Sequence, residues 1–220
     1  MIEKSLNWED ITLCKYERLI KFLNDSTKLN DLDRTIEIYS ILSDDESKSR
    51  EYLLNLDLKS LNDELLKISF IKTPYKNKVP STSYVIDGRE YTIQLNLNNM
   101  NTAQYIDFQN LYKEYEKNFK YIFMCFLLPK GKKYGDGYDV IELAEYLYDK
   151  IPITIVTDIM VFFCHQLKAL TVATLISSIR ETKKILRNEK DPVQRYKWKR
   201  SLVQMRKTVA LLQNEIEFAG

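Results

Sequence analysis

The pair Asp87-Gly88 constrains this 220-residue chain more than any other feature. It is flanked by two β-branched and aromatic runs, Tyr84-Val85-Ile86 and Tyr91-Thr92-Ile93. A two-residue hairpin turn of type I′ needs positive φ at both central positions, and Asp-Gly accepts that conformation at little cost. The second arm alternates, with Tyr91, Ile93, Leu95 and Leu97 on one face and Thr92, Gln94 and Asn96 on the other. That is the pattern of a half-buried strand. An isolated hairpin is marginal in water, so this one must lie on something. The next segment offers a platform. Asn101 or Thr102 can cap a helix, along which Tyr105, Phe108, Leu111 or Tyr112, Tyr115, Phe119, Ile122 and Phe126 recur at three- and four-residue steps. The expectation is one helix from that cap to Pro129, its aromatic stripe packed in the core.

Short helices are expected on the N-terminal side. Thr12 to Asn24 carries Leu13, Tyr16, Leu19, Ile20 and Leu23 on one face. A polar break over 25–30 precedes a second helix, Asp31 to Leu42. Ser43-Asp44-Asp45-Glu46 reads as a turn and capping-type start for a short helix over Ser47 to Leu54, and Leu58 to Ser69 follows. Lys72 to Pro80 is a linker, because Pro74 and Pro80 forbid regular structure there.

Beyond Pro129 the loop PKGKKYGDGY holds three of the five glycines. Their spacing does not match a phosphate-binding loop, and no Lys-Ser or Lys-Thr pair closes it. The loop reads instead as a mobile element at an interface. Asp139 can cap a helix to Lys150, and Ile151-Pro152 is the next break. A long helix is predicted over Thr154 to Asn188. Asp191-Pro192 restarts the chain as a cap followed by proline at the first helical position. In the last helix, to about Phe218, Trp198, Leu202, Met205, Val209, Leu212 and Ile216 step by 4, 3, 4, 3 and 4. That is a coiled-coil seam, and two long helices joined by a short turn make an antiparallel hairpin.

The architecture expected is therefore mainly α with one central β-hairpin: a helical head, then a long antiparallel C-terminal helical hairpin. Three parts are expected: 1–72 as short helices, 73–150 as the β-hairpin with its helices packed on the first part, and 151–220 as the long helical hairpin.

Catalytic chemistry is sparse. The one histidine, His165, sits on a long helix between Cys164 and Gln166. Adjacent helical residues point about 100° apart, so Cys164 and His165 make no nucleophile–base pair. The three cysteines, Cys14, Cys125 and Cys164, are far apart and odd in number, which excludes a disulfide framework and suits a reducing compartment. No His, Cys or carboxylate cluster has metal-ligand spacing. The expectation is no catalytic site, no metal and no cofactor. The start shows no signal-peptide pattern. The apolar region Ile151 to Ile179 is broken by Asp158, His165, Gln166 and Lys168, so the chain is expected to be soluble, without a membrane partner.

Charge is unevenly placed although the net is +2. Residues 1–67 carry fifteen acidic against ten basic side chains, and residues 180–207 eleven basic against three acidic. Such a division suits neighbouring copies, or an acidic partner for the tail. Arg195, Lys197, Lys199, Arg200, Arg206 and Lys207 interleave with Tyr196 and Trp198, which makes them candidate nucleic-acid contacts. Trp198, Leu202, Met205, Val209, Leu212 and Ile216 are the candidate protein–protein interface.

Read in order, DLDRTIEIYSIL, LNLDLKSLNDELLKISFI, YVIDGREYTIQLNL, MNTAQYIDF and FLLPKGKKYGDGYD resemble segments of proteins encoded by large tailed bacteriophages. The pattern is similar to morphogenesis proteins of crAss-like phages and, in outline, to baseplate-hub assembly proteins of T4-like phages. It covers about residues 12–165 and carries no active-site signature. The resemblance implies a structural or assembly role in the neck or tail, in the virion or in the host cytoplasm during assembly. The partners it implies are other phage structural proteins and copies of the chain itself. A transient tail or baseplate assembly chaperone is the alternative.

Overall fold

Asp87 and Gly88 take φ values of 49° and 71°. Ile86 pairs with Arg89 across them, so the turn has the two central residues that type I′ requires. Strand β1 (Ser83–Ile86) and strand β2 (Arg89–Ile93) form the predicted hairpin. A third strand, β3 (Leu127–Pro129), pairs antiparallel with β2, placing Tyr91 opposite Pro129 and Ile93 opposite Leu127. Pro129 cannot donate to a ladder, which an edge strand tolerates.

The computed structural model describes residues 2, 4–25, 29–43 and 46–217, with the side chains of 46–48, 98, 116 and 214–217 excepted. The turn expected at Asp44-Asp45, the middle of the polar break over 25–30, the side chain of Ile216 and the end of the last helix near Phe218 lie outside the described residues.

The N-terminal helices are α1 (Leu13–Asp25), α2 (Asp31–Leu42), α3 (Glu46–Leu54) and α4 (Leu58–Leu66). Asn30 caps α2 through a bond from the Asp33 amide, and Asp57 caps α4 through one from the Ser60 amide. A short 3₁₀ turn, Ser69–Lys72, stands where the fourth helix was expected to end. The long apolar side chains Leu13, Leu19, Ile36, Tyr39, Leu42 and Leu53 are buried.

The single helix expected up to Pro129 is instead α5 (Thr102–Tyr112), α6 (Tyr115–Ile122), a 3₁₀ turn over Phe123–Cys125, and β3. Glu114 leaves helical geometry at φ −124° and ψ 52°. Residues 122–128 are buried on every side, and a short run apolar on all faces has no period by which to separate helix from strand. The cap itself is as expected. The Asn101 side chain accepts from the Gln104 amide, and Gln104 returns a bond to the Asn101 amide. The aromatic stripe divides. Phe108 and Phe126 stack edge-to-face at 5.3 Å in the core, whereas Tyr105, Tyr112 and Tyr115 are exposed.

The chain continues with α7 (Val140–Leu147), α8 (Ile153–Asn188) and α9 (Pro192–Glu217). Asp139 accepts from the Ile141 and Glu142 amides, and Asp191 accepts from the Val193 amide. Residues 1–160 and 161–220 form two compact units, so the division falls inside α8. Within the first unit, Leu13 donates its amide to Ile151 and Ile153 donates to Ile11. These bonds tie the entry of α8 to that of α1. In the second, α8 and α9 pack closely together.

Tyr146 of α7 binds the Asp87 carboxylate at the hairpin turn, where Lys150 pairs with the same group at 3.1 Å. These contacts hold the Asp87 carboxyl below the usual range, the Tyr146 hydrogen bond contributing most. Gly88→Val is expected to lower the melting temperature, by about 1–2 kcal/mol of backbone strain in the left-handed region. A Cβ added at Gly88 meets nothing within 4 Å, so Gly88→Asn, which accepts that φ, should recover most of the loss. Thermal melts of the three proteins check this, and an unchanged melt for Gly88→Val would mean that the turn is not strained.

Candidate functional site

Within residues 1–160 several of the polar groups that line cavities are bound to one another, while the buried Tyr138 hydroxyl has no hydrogen-bond partner among the described residues. A cavity of about 320 Å³ lies among Tyr75, Lys78, Tyr84 and Asp158. The buried Asp158 carboxylate accepts from the Tyr75 hydroxyl at 3.0 Å and from the Lys78 amide at 2.8 Å. Burial and this partner push the Tyr75 phenol far above its ordinary value. Both oxygens of Asp158 are thus used to fasten the segment 72–80, which also accepts a bond from the Trp8 indole at the Thr73 carbonyl. The sequence reading treats that segment as a linker; the structure ties it down by side chains that are distant along the chain.

A second cavity, about 560 Å³, is lined by Asp107, Asn118, Tyr121, Tyr134 and Asp139. Tyr134 donates to Asp107, Tyr121 donates to Glu145, Asn118 donates to the Leu111 carbonyl, and Asp139 caps α7. A third, about 660 Å³, lies between α1 and α6. There Lys117 pairs with Glu114, Lys120 pairs with Glu145, and Glu17 accepts from Tyr148.

Among the described residues no group of three or more His, Cys, Asp or Glu could hold a metal ion. The three cysteines are free. Burial pushes the Cys125 thiol up to about 12 and raises that of Cys164, which keeps both protonated and poorly nucleophilic. His165 is half-buried on α8.

The second unit offers surface rather than cavity. Along α9, Leu202 is buried, and Trp198, Met205, Val209 and Leu212 are half-buried. These are the seam residues, and α8 is the helix that packs against them within the chain. Phe163, Val172 and Thr182 are the buried residues of α8 in this unit. Two helices alone cannot fully enclose a seam, which accounts for its half-buried members.

Arg195, Lys197, Lys199, Arg200, Arg206 and Lys207 are all exposed. The end of α8 adds exposed Arg180, Lys183, Lys184 and Arg187, and the connection to α9 adds Lys190. Of the three acidic residues there, Glu181 pairs with Lys184 at 2.8 Å, Glu189 accepts from the Asp191 amide, and Asp191 caps α9. The connection between the two long helices is therefore a strongly cationic end. The sequence reading counts both halves in the basic run 180–207 and singles out the α9 half as candidate contacts; the reversal at 189–191 brings the α8 half beside it.

The sequence reading missed a set of exposed apolar residues on α9. Val193, Tyr196, Val203 and Leu211 are 51–67% exposed. Their spacing was available as a signal, but the stronger seam pattern masked it. The described residues also contain one helix, α8, long and apolar enough to cross a membrane by length and composition; 22% of its most apolar stretch is buried.

Comparison with known protein families, curated proteins and solved structures gives no match for this chain.

Proposed function

We propose that this protein is a non-enzymatic structural or assembly component of a tailed bacteriophage, working in the neck or tail through protein–protein surfaces. One observation carries the interaction part of this reading. The α8–α9 hairpin exposes apolar side chains and a dense set of cations, whereas the cavity-lining carboxylates Asp158, Asp107 and Glu17 of residues 1–160 each accept from a tyrosine hydroxyl. Large apolar side chains exposed in a row mark surfaces that are covered in an assembly. The phage part rests on the order of segments over about residues 12–165.

The apolar length of α8 fits a protein partner better than a bilayer. It carries Asp158 and Lys168, and α9 packs along it with Arg206 and Lys207 on its outer side. Placing those charges in hydrocarbon would cost several kcal/mol.

Protein composition of purified particles tests the reading. A stoichiometric band expected at 26.1 kDa would identify a built-in component. Presence in infected cells but absence from particles would favour the transient chaperone. Absence from both assembly intermediates and particles would overturn the proposal.

The cationic end favours a second reading, a nucleic-acid-binding accessory protein. Exposed Tyr196 beside Arg195 and Lys197 has the composition of such surfaces. Titration of duplex DNA at several salt concentrations separates the two. The assembly reading expects binding at low salt only, lost towards physiological ionic strength; retained binding would favour the accessory role.

A further inference from the structure

The cavity of about 560 Å³ framed by α5, α6 and the start of α7 differs from the other two in its charge. Lys78 lines the cavity beside Asp158, and Lys21, Lys117 and Lys120 line the one between α1 and α6. Among the described residues no Lys, Arg or His lines this one, and its charged side chains are Asp107 and Asp139. Exposed Lys113 bonds Asn110 of its wall at 3.3 Å. Asp139 caps α7, and that helix end adds about half a positive charge, so the wall stays net negative.

The hydroxyl donors of the wall are spent, whereas acceptors remain. Tyr134 donates to Asp107 at 3.0 Å, and Tyr121 donates to Glu145 at 2.7 Å. The Tyr138 hydroxyl is buried away from solvent. Asp107 accepts at Oδ2 and Asp139 accepts twice at Oδ1; among the described residues the other oxygen of each carboxylate has no partner. Asn118 donates its amide nitrogen to the Leu111 carbonyl at 3.1 Å, which leaves its Oδ1 as an acceptor. Three acceptor oxygens, two of them on carboxylates, are thus left for a ligand. The rings of Tyr121, Tyr134 and Tyr138 line the same space, with Leu111 and Ile141 as aliphatic wall.

We propose that this cavity binds an organic cation, a guanidinium or primary ammonium group on an alkyl stem. Carboxylates accept the N–H groups of such a head in charge-assisted bonds, tyrosine faces attract its charge, and Leu111 and Ile141 take the stem. An anion would meet two carboxylates and few donors. The volume falls within the roughly 300–1,000 Å³ of small-molecule sites. The same head group reaches the cavity either on a free small amine or on an arginine or lysine side chain of another protein. The proposal goes beyond the assembly reading and stands without it.

The test titrates agmatine, a butyl chain carrying a guanidinium and an ammonium, into the isotope-labelled full chain at constant ionic strength, followed by amide chemical shifts. Saturable shifts are expected among residues 107–121 and 134–141. N-Butylurea, similar in shape and uncharged, should cause none. Asp107→Asn and Asp139→Asn keep an oxygen for the Tyr134 hydroxyl and for the α7 amides, and circular dichroism checks their helix content. Each should weaken agmatine about tenfold, the loss of one charge-assisted bond. A blocked Gly-Arg-Gly peptide separates the two sources. Its binding at the same amides assigns the site to a partner's side chain; agmatine binding without it assigns the site to a free small cation. The proposal is overturned if agmatine gives no saturable shift or only shifts elsewhere, if N-butylurea acts equally, or if either variant binds agmatine undiminished.

Discussion

Leu202→Asp is expected to separate α9 from α8. Leu202 is 7% exposed and is the most buried of the described seam residues of α9. A carboxylate there would be desolvated without a partner, at a cost of about 3–5 kcal/mol. α9 has little else to hold it, because Trp198, Met205, Val209 and Leu212 are only half-buried. Helicity should fall by an amount matching most of the 26 residues of α9. The near-ultraviolet circular dichroism from the buried aromatics Tyr39, Tyr91, Phe123 and Phe126 should persist, because residues 1–160 form their own compact unit. Val209→Asp should act in the same direction and more weakly. Amide exchange resolved along the chain is the direct measurement. Parental protection across α9 in Leu202→Asp would show that this seam is not what holds the helix.

Tyr39→Ala is expected to be the most damaging single change in the head. The ring is fully buried in α2. Its hydroxyl donates to Glu64 at 2.6 Å and accepts from the Ile2 amide at 3.0 Å. Lys67 completes the cluster, donating to Glu64 at 2.8 Å and to the Ile2 carbonyl at 2.6 Å. Removing a buried aromatic ring costs about 3–5 kcal/mol. Tyr39→Phe keeps the ring but strips a partner from Glu64 and from the Ile2 amide, which costs about 1–3 kcal/mol. Denaturant melts of the two variants should rank in that order; equal losses would mean that the ring contributes nothing beyond its hydroxyl.

The same cluster sets a pH dependence. Burial alone would raise the Glu64 carboxyl, but the hydrogen bonds from Lys67 and Tyr39 outweigh it and hold the group below its ordinary 4.5. The folded state therefore takes up a proton less readily than the unfolded chain. The stabilisation is fully present above pH about 4.5 and is lost as pH falls through the depressed folded value. Glu64→Gln should flatten this part of the stability profile, and a profile identical to the parent's would exclude Glu64 as its source.

Local rules made some of this legible in the sequence. Asp87-Gly88 specified its turn because few residue pairs accept two left-handed conformations in succession. The caps at Asn101, Asp139 and Asp191 were readable because each places a side-chain oxygen two or three residues ahead of unpaired amides. The hairpin of α8 and α9 followed from two long periodic runs either side of Asp191-Pro192.

Other features depend on residues far apart in the chain. β3 was hidden because residues 122–128 are apolar without alternation, and only pairing with β2 selects strand over helix. The exposure of Tyr105, Tyr112 and Tyr115 was hidden because the helical stripe continues in sequence through Glu114, where the backbone breaks. Asp158 resembled an isolated charge on an apolar helix until Tyr75 and the Lys78 amide, some 80 residues earlier, were placed against it.

By itself the sequence determined the helical class, the hairpin turn and the seam of α9, because conformation at a turn, a cap or a periodic face is settled within a few residues. Only the tertiary structure decided which apolar residues are covered. It buried Leu202 and left Val203 half exposed, although the two are neighbours of similar hydrophobicity. The reason is geometric. Burial depends on which face of a helix another element occupies, and that neighbour arrives from a distant part of the chain.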